Sequence, residues 1–297
     1  MGSMLTSFEG FEVVRDGVRL NGRRGGRGEP LLLLHGHPQT LAMWHRVAPE
    51  LAREFSVVMM DLRGYGDSAR PGAGEGDHAY SKREMALDAV AVMRAQGFAR
   101  FGVLAHDRGA RVAHRLAADH PGAVDRLMLL DIAPTLGMYE RTSLEFARAY
   151  WHWFFLIQPP PLPEALIESD PVRYVRTVMG SRHAGLTPFA PEALAEYERC
   201  AAITGTAAAF CADYRASAGI DLEHDRADVA AGSKLEQRLR VLWGEHGVVG
   251  RCFDVMALWQ ERARHVTGGG LPSGHYIAEE APALLLDEAL KFFKSSH

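Results

Sequence analysis

The segment Ala105-His106-Asp107-Arg108-Gly109 has the form small–x–nucleophile–x–small. That spacing marks a cramped turn from a strand into a helix, where small residues on both sides let the central side chain stand clear. The central residue here is Asp107. A carboxylate is a poor nucleophile toward esters and amides, since the anhydride it would form gains little. It suits displacement at an sp³ carbon, giving an ester that water then cleaves. An isolated Asp before a helix can also serve as an N-cap. The small residues on either side favour the elbow.

A nucleophile of this kind needs a sheet to hold it. Phe11–Val14 and Val18–Leu20 flank Asp16-Gly17, which has the turn chemistry of a β-hairpin. Pro30–Leu34 and Ser56–Asp61 are continuous apolar runs, as in strands buried on both faces. Phe101–Ala105 and Val124–Leu130 read as further strands. Helices are predicted over Trp44–Glu54, over Ser81–Gln96 with Ser81 and Glu84 as a capping box, and over Ala110–His120. From about Gly137 to Lys234 the chain becomes aromatic-rich, punctuated by proline and mostly helical. Arg240–Trp243 then restores a strand. A helix near Phe253–Arg262, a strand near His265 and a helix over Pro282–Lys294 complete the chain.

Strands alternating with helices imply a mostly parallel α/β sheet covered on both faces. Ligands in such sheets bind beyond the carboxyl ends of the strands. The residues there are His35-Gly36-His37-Pro38, the segment Asp61–Gly66, Asp107, Asp131, Trp243-Gly244-Glu245 and Gly274-His275. The Gly22–Gly28 cluster precedes a strand, so it does not read as a dinucleotide-binding loop.

The 297 residues are 47% hydrophobic and 24% charged with net charge −4, a globular composition without the basic surplus of a nucleic-acid or membrane-surface binder. The basic stretch Arg23-Arg24-Gly25-Gly26-Arg27 is expected to form a solvated turn. Cys200, Cys211 and Cys252 are odd in number and widely spaced, which speaks against a disulfide framework or zinc site and fits the cytoplasm. No secretory pattern is visible at the N-terminus, and apolar runs fall far short of the ~20 residues that span a bilayer. Met1–Thr6 matches a myristoylation pattern but reads better as a short remnant ahead of Met4.

Taken together, His35-Gly36-x-Pro38-Gln39-Thr40, Asp61-Leu-Arg-Gly-Tyr-Gly66, His106-Asp107-Arg108-Gly109-Ala110-Arg111, Leu130-Asp131-Ile132 and Tyr150-Trp151-His152-Trp153 resemble the fluoroacetate dehalogenases of the α/β-hydrolase fold. The resemblance runs nearly the whole length. It implies a hydrolase core of residues 1–136 and 235–297, with a helical lid over 137–234. It also implies that Asp107 is the nucleophile, that Arg108 and Arg111 hold a substrate carboxylate, and that His275 is the general base oriented by Asp131. Guanidinium forks bind carboxylates bidentately, which suits that role. One arginine pairing instead with a structural acid such as Asp131 or Asp125 is the alternative. Glu245, after the seventh strand, is the weaker candidate for orienting His275.

In the lid, the resemblance assigns His152, Trp153 and Tyr214 to the departing halide, each with one hydrogen bond to donate. Read alone, Tyr150–Phe155 is an aromatic packing segment. His37 stands where the family more often has Phe. Its backbone amide and that of Arg108 would form the oxyanion hole whatever the side chain, so the change bears on pocket shape and polarity. Trp44, His45, Tyr139 and Trp151 fit pocket wall or core equally well.

The implied reaction converts haloacetate, fluoroacetate included, to glycolate and halide with no metal or organic cofactor. The partners are a small anionic 2-haloacid and water, neither nucleic acid nor membrane, with a homodimer left open. An epoxide hydrolase would share the elbow, but has no evident need for two arginines beside it. A non-catalytic ligand-binding member of the fold need not keep nucleophile, base and acid together.

Overall fold

A computed structural model of the chain describes residues 4–295; the reading of Met1–Ser3 lies outside them. β1 (Glu9–Arg15) and β2 (Val18–Gly25) pair antiparallel around Asp16 and Gly17, both with positive φ, as a two-residue hairpin requires. β3 (Glu29–Leu34), β4 (Phe55–Met60), β5 (Phe101–His106), β6 (Val124–Leu130), β7 (Leu235–Gly244) and β8 (Ala263–Leu271) complete one sheet. Its order is β1-β2-β4-β3-β5-β6-β7-β8, and every pairing from β4 to β8 is parallel. Leu31–Leu34 pair with β4 on one side and β5 on the other and are wholly buried. That double coverage is why β3 reads as an unbroken apolar run.

Four local expectations are corrected. The basic stretch is not a turn, because Arg23, Arg24 and Gly25 continue β2, with Arg23 and Arg24 paired to both β1 and β4 and Gly25 to β4. The helix expected over Trp44–Glu54 is two short pieces, Leu41–Trp44 and Ala48–Leu51. Pro49 has no N–H and its ring would collide with the His45 carbonyl of a continuous helix. The helix expected near Phe253–Arg262 is shorter, Val255–Gln260, with Asp254 capping it through the Ala257 amide, and an unexpected short helix, Val248–Cys252, precedes it. The capping box at Lys82–Ala95 is half formed. Ser81 accepts from the Glu84 amide, but the Glu84 carboxylate turns to Arg15 at 2.5 Å.

Between β6 and β7 lie eight helices, from Thr135–Glu140 to Ile220–Ala230. The boundary expected at residue 137 falls inside the first of them. No described helix is long and apolar enough to cross a membrane.

Two strand-end motifs serve the scaffold. Asp61 accepts from the amides of Leu41 and Asp67 and from the Asn21 side chain, fixing both neighbouring loops. A Cβ on Gly66, at φ +53, would lie 2.0 Å from the Asp61 carboxyl carbon, so glycine is required there. His35 donates from Nδ1 to the Gly36 carbonyl and accepts from the Leu62 amide at Nε2. Its ring ties the β3 loop to the β4 loop.

Glu279, buried near the same loop, accepts from the Tyr197 hydroxyl at 2.6 Å and from Gln39 at 3.5 Å. Burial pushes its carboxyl up to about 7, against the pull of the Tyr197 bond. The native state therefore holds this proton more tightly than the unfolded chain. The resulting stability is complete below the ordinary carboxylate range and is lost as pH rises toward 7. Glu279→Gln keeps an acceptor for Tyr197 and should remove that slope, stabilising the protein at pH 8 by roughly 2–3 kcal/mol. Thermal unfolding of both proteins from pH 5 to 8 checks this; parallel curves would contradict it.

Candidate active site

Asp107 sits where β5 turns into the Asp107–Asp119 helix, with φ +45, a left-handed conformation that costs energy for any residue but glycine. Close packing enforces it. A Cβ on Gly109 would meet the His35 carbonyl at 2.4 Å, and one on Gly36 would meet the Asp107 Cβ at the same distance. The elbow expected from Ala105 and Gly109 is present. Asp107 stands in the first turn of its own helix, where the dipole favours negative charge. Its Oδ1 accepts from the His37 amide at 2.9 Å. Burial works against its ionisation, but the facing imidazoles of His275 and His106 and the guanidinium charges of Arg108 and Arg111 override this and hold the carboxyl well below the usual range.

Asp131 ends β6 with φ +51, and His275 follows β8. Asp131 Oδ1 accepts from the Gly244 amide at 3.0 Å, and Oδ2 accepts from His275 Nδ1 at 2.6 Å. With its proton on Nδ1, the imidazole keeps Nε2 free to take one from water. Glu245 is exposed and takes no part in this pair. His106 reaches across and donates from Nε2 to the His275 carbonyl at 2.9 Å, steadying the loop that carries His275. Burial drives the His106 pKa down to about 3, so its ring is neutral.

The two arginines differ from each other. Arg108 is wholly buried, and its fork is taken: Nε and Nη2 bind the Asp213 carboxylate at 2.9 and 2.7 Å. Only Nη1 lacks a partner. The expectation of two open forks is thereby corrected, and the structural acid is Asp213, not Asp131 or Asp125. Arg111, one turn beyond Asp107, meets the Ala133 carbonyl, the Thr135 hydroxyl and the Met138 sulfur. No hydrogen bond or ion pair joins it to a carboxylate among the described residues, and its Nε has no partner. Burial and the neighbouring Arg108 both disfavour its charge. A guanidinium stays protonated regardless, so a cation is held beside the Asp107 carboxylate.

His152 and Trp153, in the Trp151–Leu156 helix, and Tyr214, in the Thr206–Ala218 helix, converge on the same space. The Tyr214 ring lies 5.9 Å from His152 and 6.4 Å from Trp153. Trp153 Nε1 and the Tyr214 hydroxyl are buried without partners among the described residues. Each such donor costs about 1–3 kcal/mol. Arg108 lies 4.1 Å over the Tyr214 ring and Arg111 4.6 Å over the Trp153 ring, so the donors adjoin the arginines. Burial and then the Asp107 charge push the Tyr214 hydroxyl far up, keeping it a donor.

Of the four wall-or-core residues, Tyr139 packs on Trp153 at 5.0 Å and Trp151 on Phe155 at 5.8 Å. Trp44 is buried in the core, and His45 bonds the Ala42 carbonyl of its own short helix. Sequence reasoning missed Asp213, although it directly precedes Tyr214. It also missed Tyr150, whose hydroxyl stands 3.5 Å from His275 Nδ1, and Arg182, stacked 4.3 Å over the Tyr150 ring.

A sequence profile of the α/β-hydrolase fold matches residues 29–182. The chain is 45% identical to a fluoroacetate dehalogenase from Burkholderia sp, over 93% of its own length and 91% of the relative's. It is 33% identical to a soluble epoxide hydrolase from Corynebacterium sp. (strain C12), over 98% and 99% of the two chains. Among solved structures, an α/β hydrolase from Nostoc sp PCC 7120 superposes with a TM-score of 0.95 at 51% identity, covering 98% of this chain and 99% of that one.

Proposed function

The chain belongs to the fluoroacetate dehalogenase family of the α/β-hydrolase fold, and we propose that it hydrolyses the carbon–halogen bond of a short 2-haloacid, haloacetate and fluoroacetate included. The observation that carries this reading is Arg111, a buried cation with no carboxylate of its own, one helical turn from a carboxylate nucleophile. An anionic substrate would complete the pair and offset its own repulsion by Asp107.

In the proposed sequence, the substrate carboxylate lies against Arg111 and Arg108 Nη1. The Asp107 oxygen not engaged by His37 attacks C2 in line. The carbon–oxygen bond forms as the carbon–halogen bond breaks, and the halide leaves with the bonding pair toward His152, Trp153 and Tyr214. His275 then takes a proton from water, and the hydroxide adds to the Asp107 ester carbonyl. Negative charge on that oxygen is met by the amides of His37 and Arg108. The Arg108 N–H is among the first amides of its helix, which have no intrahelical acceptor. As the adduct collapses, His275 gives its proton to the departing alkoxide, which leaves as the 2-hydroxy acid, and the carboxyl group left on Asp107 sheds its proton to solvent and is again a carboxylate.

The epoxide hydrolase reading has two observations in its favour: the 33% identity to a soluble epoxide hydrolase, and the Tyr214 and Trp153 donors, which could equally meet an epoxide oxygen. Arg111 weighs against it. Halide release from fluoroacetate, chloroacetate and chloroacetamide, measured beside diol formation from an epoxide panel, decides between them. Chloroacetate should exceed chloroacetamide in kcat/KM by about 100-fold or more, the scale of a lost charge-assisted pair. Equal turnover of the two would remove the carboxylate clamp and with it the haloacid substrate, and epoxides as the better substrates would remove the dehalogenase reading.

A further inference from the structure

We propose that Asp213 is a positioning residue for this reaction: it aims Arg108 through a hydrogen-bond chain that forms only when the helical insertion is seated on the sheet. The inference rests on the dehalogenase reading for its kinetic test, but not for its geometry.

Asp213 lies in the Thr206–Ala218 helix of the insertion and is wholly buried. Every group that donates to its carboxylate comes from the core. Arg108 gives Nε and Nη2, the Tyr65 hydroxyl donates to Oδ2 at 2.7 Å, and Lys82 donates to Oδ1. Arg108 Nη2 also reaches the Asp213 carbonyl at 2.8 Å and the Ser217 hydroxyl at 2.6 Å on the same helix. Burial would raise the Asp213 carboxyl, but the charges of Arg108 and Lys82 hold it well below its usual range. The carboxylate is therefore permanent.

The chain continues on the other side of Tyr65. Because its hydroxyl gives its proton to Asp213, its oxygen is left as an acceptor facing His37 Nδ1 at 3.4 Å. His37 is buried and neutral, with a pKa lowered to about 3. A neutral ring donates from one nitrogen and accepts at the other. With Nδ1 donating, Nε2 accepts from the Tyr174 hydroxyl at 2.9 Å. Tyr174 belongs to the Pro171–Gly180 helix, a second element of the insertion. The order Tyr174, His37, Tyr65, Asp213, Arg108 thus starts and ends in insertion-to-core bonds. Two of its members flank the nucleophile directly, since the His37 amide binds Asp107 and Arg108 follows Asp107 in the chain.

The consequence concerns substrate binding. A free guanidinium beside Asp107 would turn its fork on the nucleophile itself. Held by Asp213, Arg108 leaves one donor, Nη1, without a partner among the described residues. A structural ion pair elsewhere in the core would affect stability alone. This one should affect affinity for the carboxylate.

The test compares the parent with Asp213→Asn, Tyr65→Phe and Tyr174→Phe on chloroacetate, with thermal unfolding of each. Asp213→Asn should raise KM by about 30-fold or more while kcat stays within about fivefold, and each Tyr→Phe change should raise KM by roughly 3–10-fold. A purely structural role would lower the melting temperature and the active fraction but leave KM in place. A folded Asp213→Asn with KM within about twofold of the parent would overturn the proposal. Should that variant fail to fold, unchanged KM in both tyrosine variants would do the same. An independent readout is the ¹⁵N-resolved Nε–H signal of Arg108, assigned by its absence in Arg108→Lys. It should exchange slowly in the parent and fast in Asp213→Asn. Retained protection overturns the positioning role even if the parent releases no halide, an outcome that would dispose separately of the dehalogenase reading.

Discussion

His275→Asn should release one equivalent of halide from chloroacetate and then stop, with a carboxymethyl ester left on Asp107. The displacement needs only the carboxylate, which is ionised and held by the His37 amide, and the substrate clamp. The hydrolysis needs the imidazole, because nothing else bonded to Asp131 Oδ2 could take a proton from water. Asn retains an amide N–H for Asp131, so the buried carboxylate keeps a partner and the fold is spared. Loss of a positioned general base typically costs about 10²–10⁴ in rate, which sets the expected fall in steady-state turnover. Intact-protein mass spectrometry on the halted enzyme is the direct check. Unmodified protein after one equivalent of halide would exclude the ester route. Failure to release even the first halide would show that His275 acts before the displacement.

Trp153→Phe and Tyr214→Phe should separate fluoride from bromide. Fluoride is strongly basic and tightly bonded to carbon, so its departure depends on donors already in place. Trp153 Nε1 and the Tyr214 hydroxyl are such donors, buried and without other partners among the described residues. Removing one preorganised donor at developing charge costs about 10²–10³ in rate. That loss should fall mainly on fluoroacetate, while bromoacetate keeps most of its turnover. Phenylalanine keeps the Tyr214 ring under Arg108 and leaves a smaller aromatic face in place of the Trp153 indole under Arg111. Loss of packing alone would slow both substrates by a similar factor. The ratio of kcat/KM for the two acids is the quantity to measure, and a ratio equal to the parent's would return these side chains to a packing role.

The sequence was most informative where one local rule decides the outcome. Small residues around Asp107 leave little choice but the elbow, and an apolar run such as Leu31–Leu34 has only a buried parallel strand to enter. Asp131 could be preferred over Glu245 because it directly ends an apolar strand, and its bond to His275 agrees. Long-range pairing was not legible. Arg108 and Asp213 are 105 positions apart, and nothing in either neighbourhood says that they meet. The same holds for Tyr65 and His37, whose motifs were visible but whose shared proton order depends on a tyrosine 137 positions from His37. Arg23-Arg24 misled because charge and glycine suggest a turn. The pairing of both neighbours overrode that local preference.

β6 and β7 are hydrogen-bonded neighbours, yet the whole helical insertion is spliced between Leu130 and Leu235. Joining two ends through a long loop becomes costlier only logarithmically, by about 0.6 kcal/mol for each doubling of its length. The sheet is therefore nearly indifferent to how much chain is threaded through that junction. Asp107, Asp131 and His275 are anchored to strands, whereas His152, Trp153 and Tyr214 arrive with the insert. Under the roles proposed for these side chains, descent with modification can consequently replace the leaving-group side wholesale while the hydrolytic trio is inherited intact. Grafting a different insert between residues 131 and 234 is the corresponding route for an engineer who wants a new leaving group on an old nucleophile.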